Sequence, residues 1–148
     1  MSQTRGSISL SYWFLGFEAK TDQHSDKRNG VLIASKGGKA LSYGLDLAQK
    51  RGVLFVGPGE DVYEGQVVGL RPVEVDLEVN VCKGKQLTNM RSSGNDDAIV
   101  LTPATKYSIE ECLGFIEEDE LVDVTPVAVR LRKKYLTKLD RTRDKRKN

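Results

Sequence analysis

Ile8, Leu10, Tyr12 and Phe14 alternate with Ser7, Ser9, Ser11 and Trp13, and this period of two predicts a strand with one buried face. A strand there needs a partner, and the polar stretch at 21–29 follows it as a linker. Residues 30–34, Gly-Val-Leu-Ile-Ala, form a second, wholly apolar strand candidate. The turn Ser35-Lys36-Gly37-Gly38 then leads into a predicted helix over 39–51, whose apolar stripe is Leu41, Gly44, Leu45 and Ala48. Gly44 costs about 1 kcal/mol relative to alanine inside a helix, so close packing against a neighbour is expected at that point. Gly52 follows as a candidate left-handed C-terminal residue.

Further strands are predicted at 53–56, 66–69, 75–82 and 98–102, separated by Gly57-Pro58-Gly59 and other turn chemistry. Alternation is cleanest over residues 75–81, VDLEVNV, where one face is buried and the other solvated. The pattern then stops for 15 residues, KGKQLTNMRSSGNDD at 83–97. Polar loops of that length inside a compact domain are functional or disordered. Ser108 and Glu111 make a capping box, opening a helix whose face is Ile109, Cys112, Leu113 and Ile116. The acidic run at 117–120 opposes the helix dipole and ends it. Residues 121–125 and 127–131 alternate on either side of Pro126, and a basic, partly helical tail completes the chain. The expected class is α+β: a mostly antiparallel or mixed sheet, or partial barrel, with two helices, a long polar loop and a basic C-terminal tail.

Composition adds the scale. With 148 residues, 39% of them hydrophobic, the chain can form a core without disulfide or metal staples. Its mean hydropathy of −0.42 and apolar runs of about six residues, against the roughly 20 of a membrane helix, predict no membrane span and no signal peptide. The net charge of +2 identifies nothing, but its distribution does. Residues 130–148 carry ten basic side chains against Asp140 and Asp144, whereas residues 110–123 carry seven acidic side chains and no basic one. One end of the molecule should therefore be strongly positive.

Catalytic chemistry is hard to assemble from these residues. Cys82 and Cys112 lie 30 positions apart without a CxxC, and His24 is the only histidine, so zinc spacing is missing and a Cys–His nucleophile is far weaker a reading than reduced core thiols. Lys36-Gly37-Gly38-Lys39 resembles an anion-binding turn, yet a P-loop needs glycine at Ile33 and a hydroxyl at Ala40. Gly57-Pro58-Gly59 fails as a dinucleotide fingerprint because Val62 holds the third glycine position. The acidic run at 117–120 is read as a solvated polar face rather than a Mg²⁺ site.

The long loop has RNA chemistry. Lys83, Lys85 and Arg91 suit phosphates, and Asn89, Ser92 and Ser93 suit phosphate, 2′-hydroxyl or base edges. The loop holds no aromatic residue, which favours backbone and shape contacts over stacking. A merely solvated loop stays an equal reading of these residues, and a solubilising tail is the plain reading of the C-terminus.

Several stretches carry a family resemblance: RNGVLI at 28–33, RGVLFVGPG at 51–59, VYEG at 62–65, NVCK at 80–83, KQLTNMRSSG at 85–94, DELVDVTP at 119–126 and RLRK at 130–133. In order, they resemble the C-terminal region of the BipA/TypA family of ribosome-binding translational GTPases. The resemblance implies that residues 1–19 end a domain similar to domain V of elongation factor G. It implies further that 20–135 form the family's own C-terminal domain and that 136–148 form a basic tail. It implies no enzyme activity and no cofactor for this chain, with GTP and Mg²⁺ bound by an N-terminal GTPase domain lying outside it. The implied partners are large-subunit ribosomal RNA, A-site tRNA and the remaining domains of the parent protein, with no membrane. The implied setting is ribosome assembly and stress response in a bacterial cytoplasm or a plastid.

On that footing the RNA contacts are expected at Lys83, Lys85, Asn89, Arg91, Ser92, Ser93, Arg130, Arg132, Lys133 and Lys134, with the acidic helix end turned away. The alternative is a structural or protein-interaction domain that positions the GTPase domains and touches RNA only nonspecifically. Residues 12–17, Tyr-Trp-Phe-Leu-Gly-Phe, are more apolar than the family's corresponding segment, and exposed Trp13 and Phe17 favour self-association.

Overall fold

The computed structural model describes residues 11–17, 29–85 and 99–146. Its elements are β1 (Val31–Ala34), β2 (Gly38–Lys39), α1 (Ser42–Gln49), β3 (Val53–Leu54), β4 (Asp61–Val62), β5 (Val67–Leu70), β6 (Leu77–Val79), α2 (Ile109–Phe115), β7 (Glu120–Val124), β8 (Val129–Lys133) and α3 (Lys138–Lys145). The main sheet has the order β3-β5-β1-β6, with β1 antiparallel to β5 and parallel to β6. Two ribbons flank it: β2 with β4, and the antiparallel hairpin β7–β8. The class is α+β with open sheets, not a barrel.

All four residues of β1 are buried because both faces of the sheet are covered. Leu32 and Ala34 point toward α1, joining Leu45, Ala48, Leu54, Val68 and Val81. Val31 and Ile33 point the other way, joining Phe55, Val67, Cys112 and Leu131 beneath α2 and the hairpin. The sheet is thus the middle layer of three, each side sealed by its own apolar cluster.

Several predicted boundaries move. The first helix begins at Ser42 rather than 39, because Gly38 and Lys39 pair with Val62 and Asp61, and Leu41 N–H bonds to Val81 O at 2.9 Å. Gly44 is confirmed as a close contact: a Cβ there would lie 2.5 Å from Val81 O. Gly52 is not left-handed; glycine is required because a Cβ would meet Leu70 O at 1.8 Å. Residues 99–102 form no strand, since the side-chain amide of Gln49 takes the place of a strand partner, donating to Val100 O and accepting from Thr102 N. Residues 11–17 form no strand either: among the described residues nothing pairs with them, and Trp13 and Phe17 are 79% and 96% exposed.

The Ser108 capping box forms as read, and α2 ends at Phe115, ahead of the acidic run. Of the predicted face, Cys112 is buried and Ile116 packs inward, whereas Ile109 and Leu113 are exposed and Phe115 packs inward in their place. Pro126 sits in a tight turn closed by Thr125, whose hydroxyl accepts from Ala128 N–H at 3.0 Å. The tail is no loose polycation over its described length. Thr137 caps α3, and Arg141 fastens it to Glu78 of β6 at 2.8 Å.

Candidate nucleic-acid interface

The polar loop leaves the fold at a defined place. Ser35 N–H bonds to Val79 O and Leu41 N–H to Val81 O, so residues 79–85 run beside the turn 35–41. The Cys82 thiol lies 3.9 Å from Lys36 O, and a Cβ on Gly38 would touch its sulfur at 3.4 Å. Glycine at 38, with φ of +142°, lets the turn close on the cysteine. This packing gathers Lys36, Lys39, Lys83 and Lys85, all exposed, around the root of the loop. Lys39 meets Asp61 at 3.4 Å, but with side chains 68% and 74% exposed the pair is screened and leaves the ammonium accessible.

Lys36 and Lys39 belong to the turn weighed in sequence as an anion site and read in preference as a plain glycine turn, not as part of the loop. The signal that placed them at the loop was the glycine pair, whose reason is the sulfur of Cys82. Asn89, Arg91, Ser92 and Ser93 lie outside the described residues, as does His24. Lys83 and Lys85 stand on the α1 side, whereas Arg130, Arg132, Lys133 and Lys134 belong to the hairpin and its exit on the opposite face.

Each hairpin cation has a distinct setting. Arg132 donates to Asp123 at 2.9 Å, and Tyr63 donates to the other oxygen of that carboxylate at 2.6 Å. Burial and the Asp123 hydrogen bond push the Tyr63 hydroxyl well above its ordinary pKa. Burial by itself raises the Asp123 carboxyl, but the Tyr63 and Arg132 bonds outweigh it and hold the group low. Lys133, only 2% exposed, is gripped by Asp76, Asp119 and Glu120 at 2.7, 2.9 and 2.9 Å. Burial opposes its charge, and the three carboxylates more than offset that, so its pKa is raised. Lys133 is therefore a structural cation turned away from solvent, and the end of the acidic run, Asp119 and Glu120, forms part of its socket, while Glu117 and Glu118 are exposed as a solvated face. Lys134 is exposed, its ammonium 5.7 Å from the Tyr135 ring centroid.

The thiols are inert in character. Burial raises the pKa of Cys82, and burial with the Glu111 charge raises that of Cys112, so neither is an activated nucleophile. They occupy different apolar clusters. Among the described residues no group of three or more His, Cys, Asp or Glu could hold a metal, and no helix is long and apolar enough to cross a membrane.

Residues 29–138 match the sequence model of the TypA/BipA C-terminal domain. The chain belongs to the TypA/BipA family. Its similar relatives include the Large ribosomal subunit assembly factor BipA of Haemophilus influenzae, 48% identical over 147 residues, and that of Salmonella typhimurium, 45% identical over 147 residues. Each alignment covers 99% of this chain and 24% of the relative. The protein of the same description from Buchnera aphidicola is 51% identical over 120 residues, covering 81% of the chain and 20% of the relative. The chain thus spans about a quarter of the length of these relatives and corresponds to the BipA C-terminal domain. The turn at 36–39 opens into the two-residue strand β2 instead of a helix N-terminus, so it lacks the geometry of a P-loop.

Proposed function

We propose that this BipA-type domain is a ribosome-contacting module that binds large-subunit ribosomal RNA and the acceptor end of A-site tRNA through phosphate and shape contacts. The observation that carries the reading is the convergence of Lys36, Lys39, Lys83 and Lys85 at the root of a 15-residue polar loop that also contains Arg91. Ammonium groups there release counterions from an RNA backbone, and the sequence of the loop beyond them carries amide and hydroxyl side chains suited to phosphate and 2′-hydroxyl contacts. Curated relatives bear the description of large ribosomal subunit assembly factors, which supports a ribosomal partner. The mechanism is positional: the three-layer fold holds the loop root rigid, and GTP hydrolysis belongs to a domain of the parent protein outside this chain.

Co-sedimentation with ribosomes at graded salt tests this. A Lys83→Ala, Lys85→Ala, Arg91→Ala variant, and separately Lys36→Ala with Lys39→Ala, are expected to lose saturable binding, with the salt slope falling by about one per phosphate contact removed. Equal binding by both variants, with loss only on truncation after Tyr135, would instead make the domain a structural element bearing a nonspecific cationic helix.

A further inference from the structure

On the opposite face from α1, a cavity of about 310 Å³ opens between residues 105–107 and the turn end of the β7–β8 hairpin. Its floor is apolar: Phe55, Val67, Cys112 and Leu131 are all buried. The Tyr107 ring stands edge-on to Phe55, centroids 5.0 Å apart at 79°, and stacks on Phe115 at 5.8 Å, so an aromatic wall is fixed in place. The rim is charged. Lys106 donates to Glu60 Oε1 at 2.6 Å and to Phe55 O at 3.2 Å, which uses two of its three N–H donors and leaves one for a ligand. Arg130 also lines the cavity, its charge close enough to act on Glu60 and Asp123. Both hydrogen bonds that Glu60 accepts, from Gly57 N–H and Lys106, fall on Oε1.

This combination has a specific chemistry. An apolar, aromatic floor takes a flat heterocycle, a carboxylate accepts from an exocyclic amine, and two cations against one carboxylate favour an anionic substituent. The volume admits a single small ligand, at the lower bound of ordinary pockets. The cavity also adjoins the loop root: Ala40 N–H bonds to Glu60 O at 2.8 Å, and the next residue, Asp61, meets Lys39.

We propose that this cavity receives one unpaired nucleotide, its base against Phe55 and Tyr107, its amino edge on Glu60 and its phosphate on Lys106 and Arg130. The nucleotide is either free or part of an RNA strand, and only the second source rests on the RNA-contact reading above.

Amide chemical shifts of the chain titrated with the four nucleoside 5′-monophosphates, and with a single-stranded oligonucleotide, test it. Shifts are expected at residues 105–107 and 127–130, with CMP, AMP and GMP favoured over UMP by about fivefold. Lys106→Met with Arg130→Met is expected to weaken binding about tenfold, Arg130→Lys to retain most of it, and Glu60→Gln to narrow the base preference, each with unchanged thermal unfolding. Lys36→Ala with Lys39→Ala leaves mononucleotide binding intact, which separates this site from the loop root. Binding of monophosphate and oligonucleotide alike supports an RNA nucleotide, and binding of monophosphate alone supports a free one. Absence of both, or shifts confined to the loop root, overturns the proposal.

Discussion

Replacing Lys133 by methionine removes a cation shared by Asp76, Asp119 and Glu120, at 2.7, 2.9 and 2.9 Å. The carboxylates differ in what they lose. Asp119 is 48% exposed and Asp76 24%, so water re-solvates them at modest cost, whereas the Glu120 side chain is fully buried. Stranding a buried charge by deleting its partner costs about 3–5 kcal/mol. Because methionine keeps most of the lysine's volume, little of that loss is cavity formation. With a urea m-value of about 2 kcal/mol/M, the midpoint of unfolding followed by circular dichroism is expected to fall by about 1.5–2.5 M. A second variant, Lys133→Met with Glu120→Leu, removes the stranded charge and is expected to recover most of the stability. A loss below about 1 kcal/mol for the single variant, or no recovery in the double, would refute the view that Lys133 joins the hairpin to the sheet through buried charge.

Gly52→Ala places a methyl carbon where Leu70 O lies at 1.8 Å, so β3 must shift and stability is expected to fall by about 2–3 kcal/mol in the same assay. Ser108→Ala removes the α2 cap, with an expected loss of about 1 kcal/mol. Burial raises the Glu78 carboxyl, but hydrogen bonds from Arg141 and Lys138 outweigh it and lower the net pKa. A folded pKa below the unfolded one stabilises the docked α3 above about pH 4.3, and that contribution is lost as pH falls through the folded value. The protection factors of the α3 amides are therefore expected to fall on acidification through the lowered Glu78 pKa before those of the main sheet do. Trp13 and Phe17 stand exposed, and sedimentation velocity is expected to show concentration-dependent association that Trp13→Ser with Phe17→Ser abolishes.

Local signals survived folding wherever the chain's own neighbours supplied the interaction. The β1 strand, the Ser108 capping box, the stop of α2 ahead of like charges and the bend at Pro126 are all decided within a few residues, and each stands in the structure. The family, too, was legible in short ordered stretches. Partners distant in the chain decided the rest. Residues 99–102 have strand-like side chains but bond to Gln49 instead of another strand, and Gly52 is demanded by Leu70 O rather than by its own dihedral angles.

Charge shows the same division most plainly. In sequence, the acidic run at 117–120 and the basic residues from Arg130 onward look like two solvated surfaces of opposite sign. The hairpin register, Glu120 opposite Lys133, folds one onto the other and buries the contact. Conversely, Lys36 and Lys39 lie more than forty positions from Lys83 and reach the loop only because the turn at Gly38 packs on Cys82. Composition and pattern determine which charges a chain carries and where its strands begin. Whether a given ammonium faces a phosphate or a carboxylate depends on long-range pairing, since the energy of a charge is set by its neighbours in space and by how much water they leave.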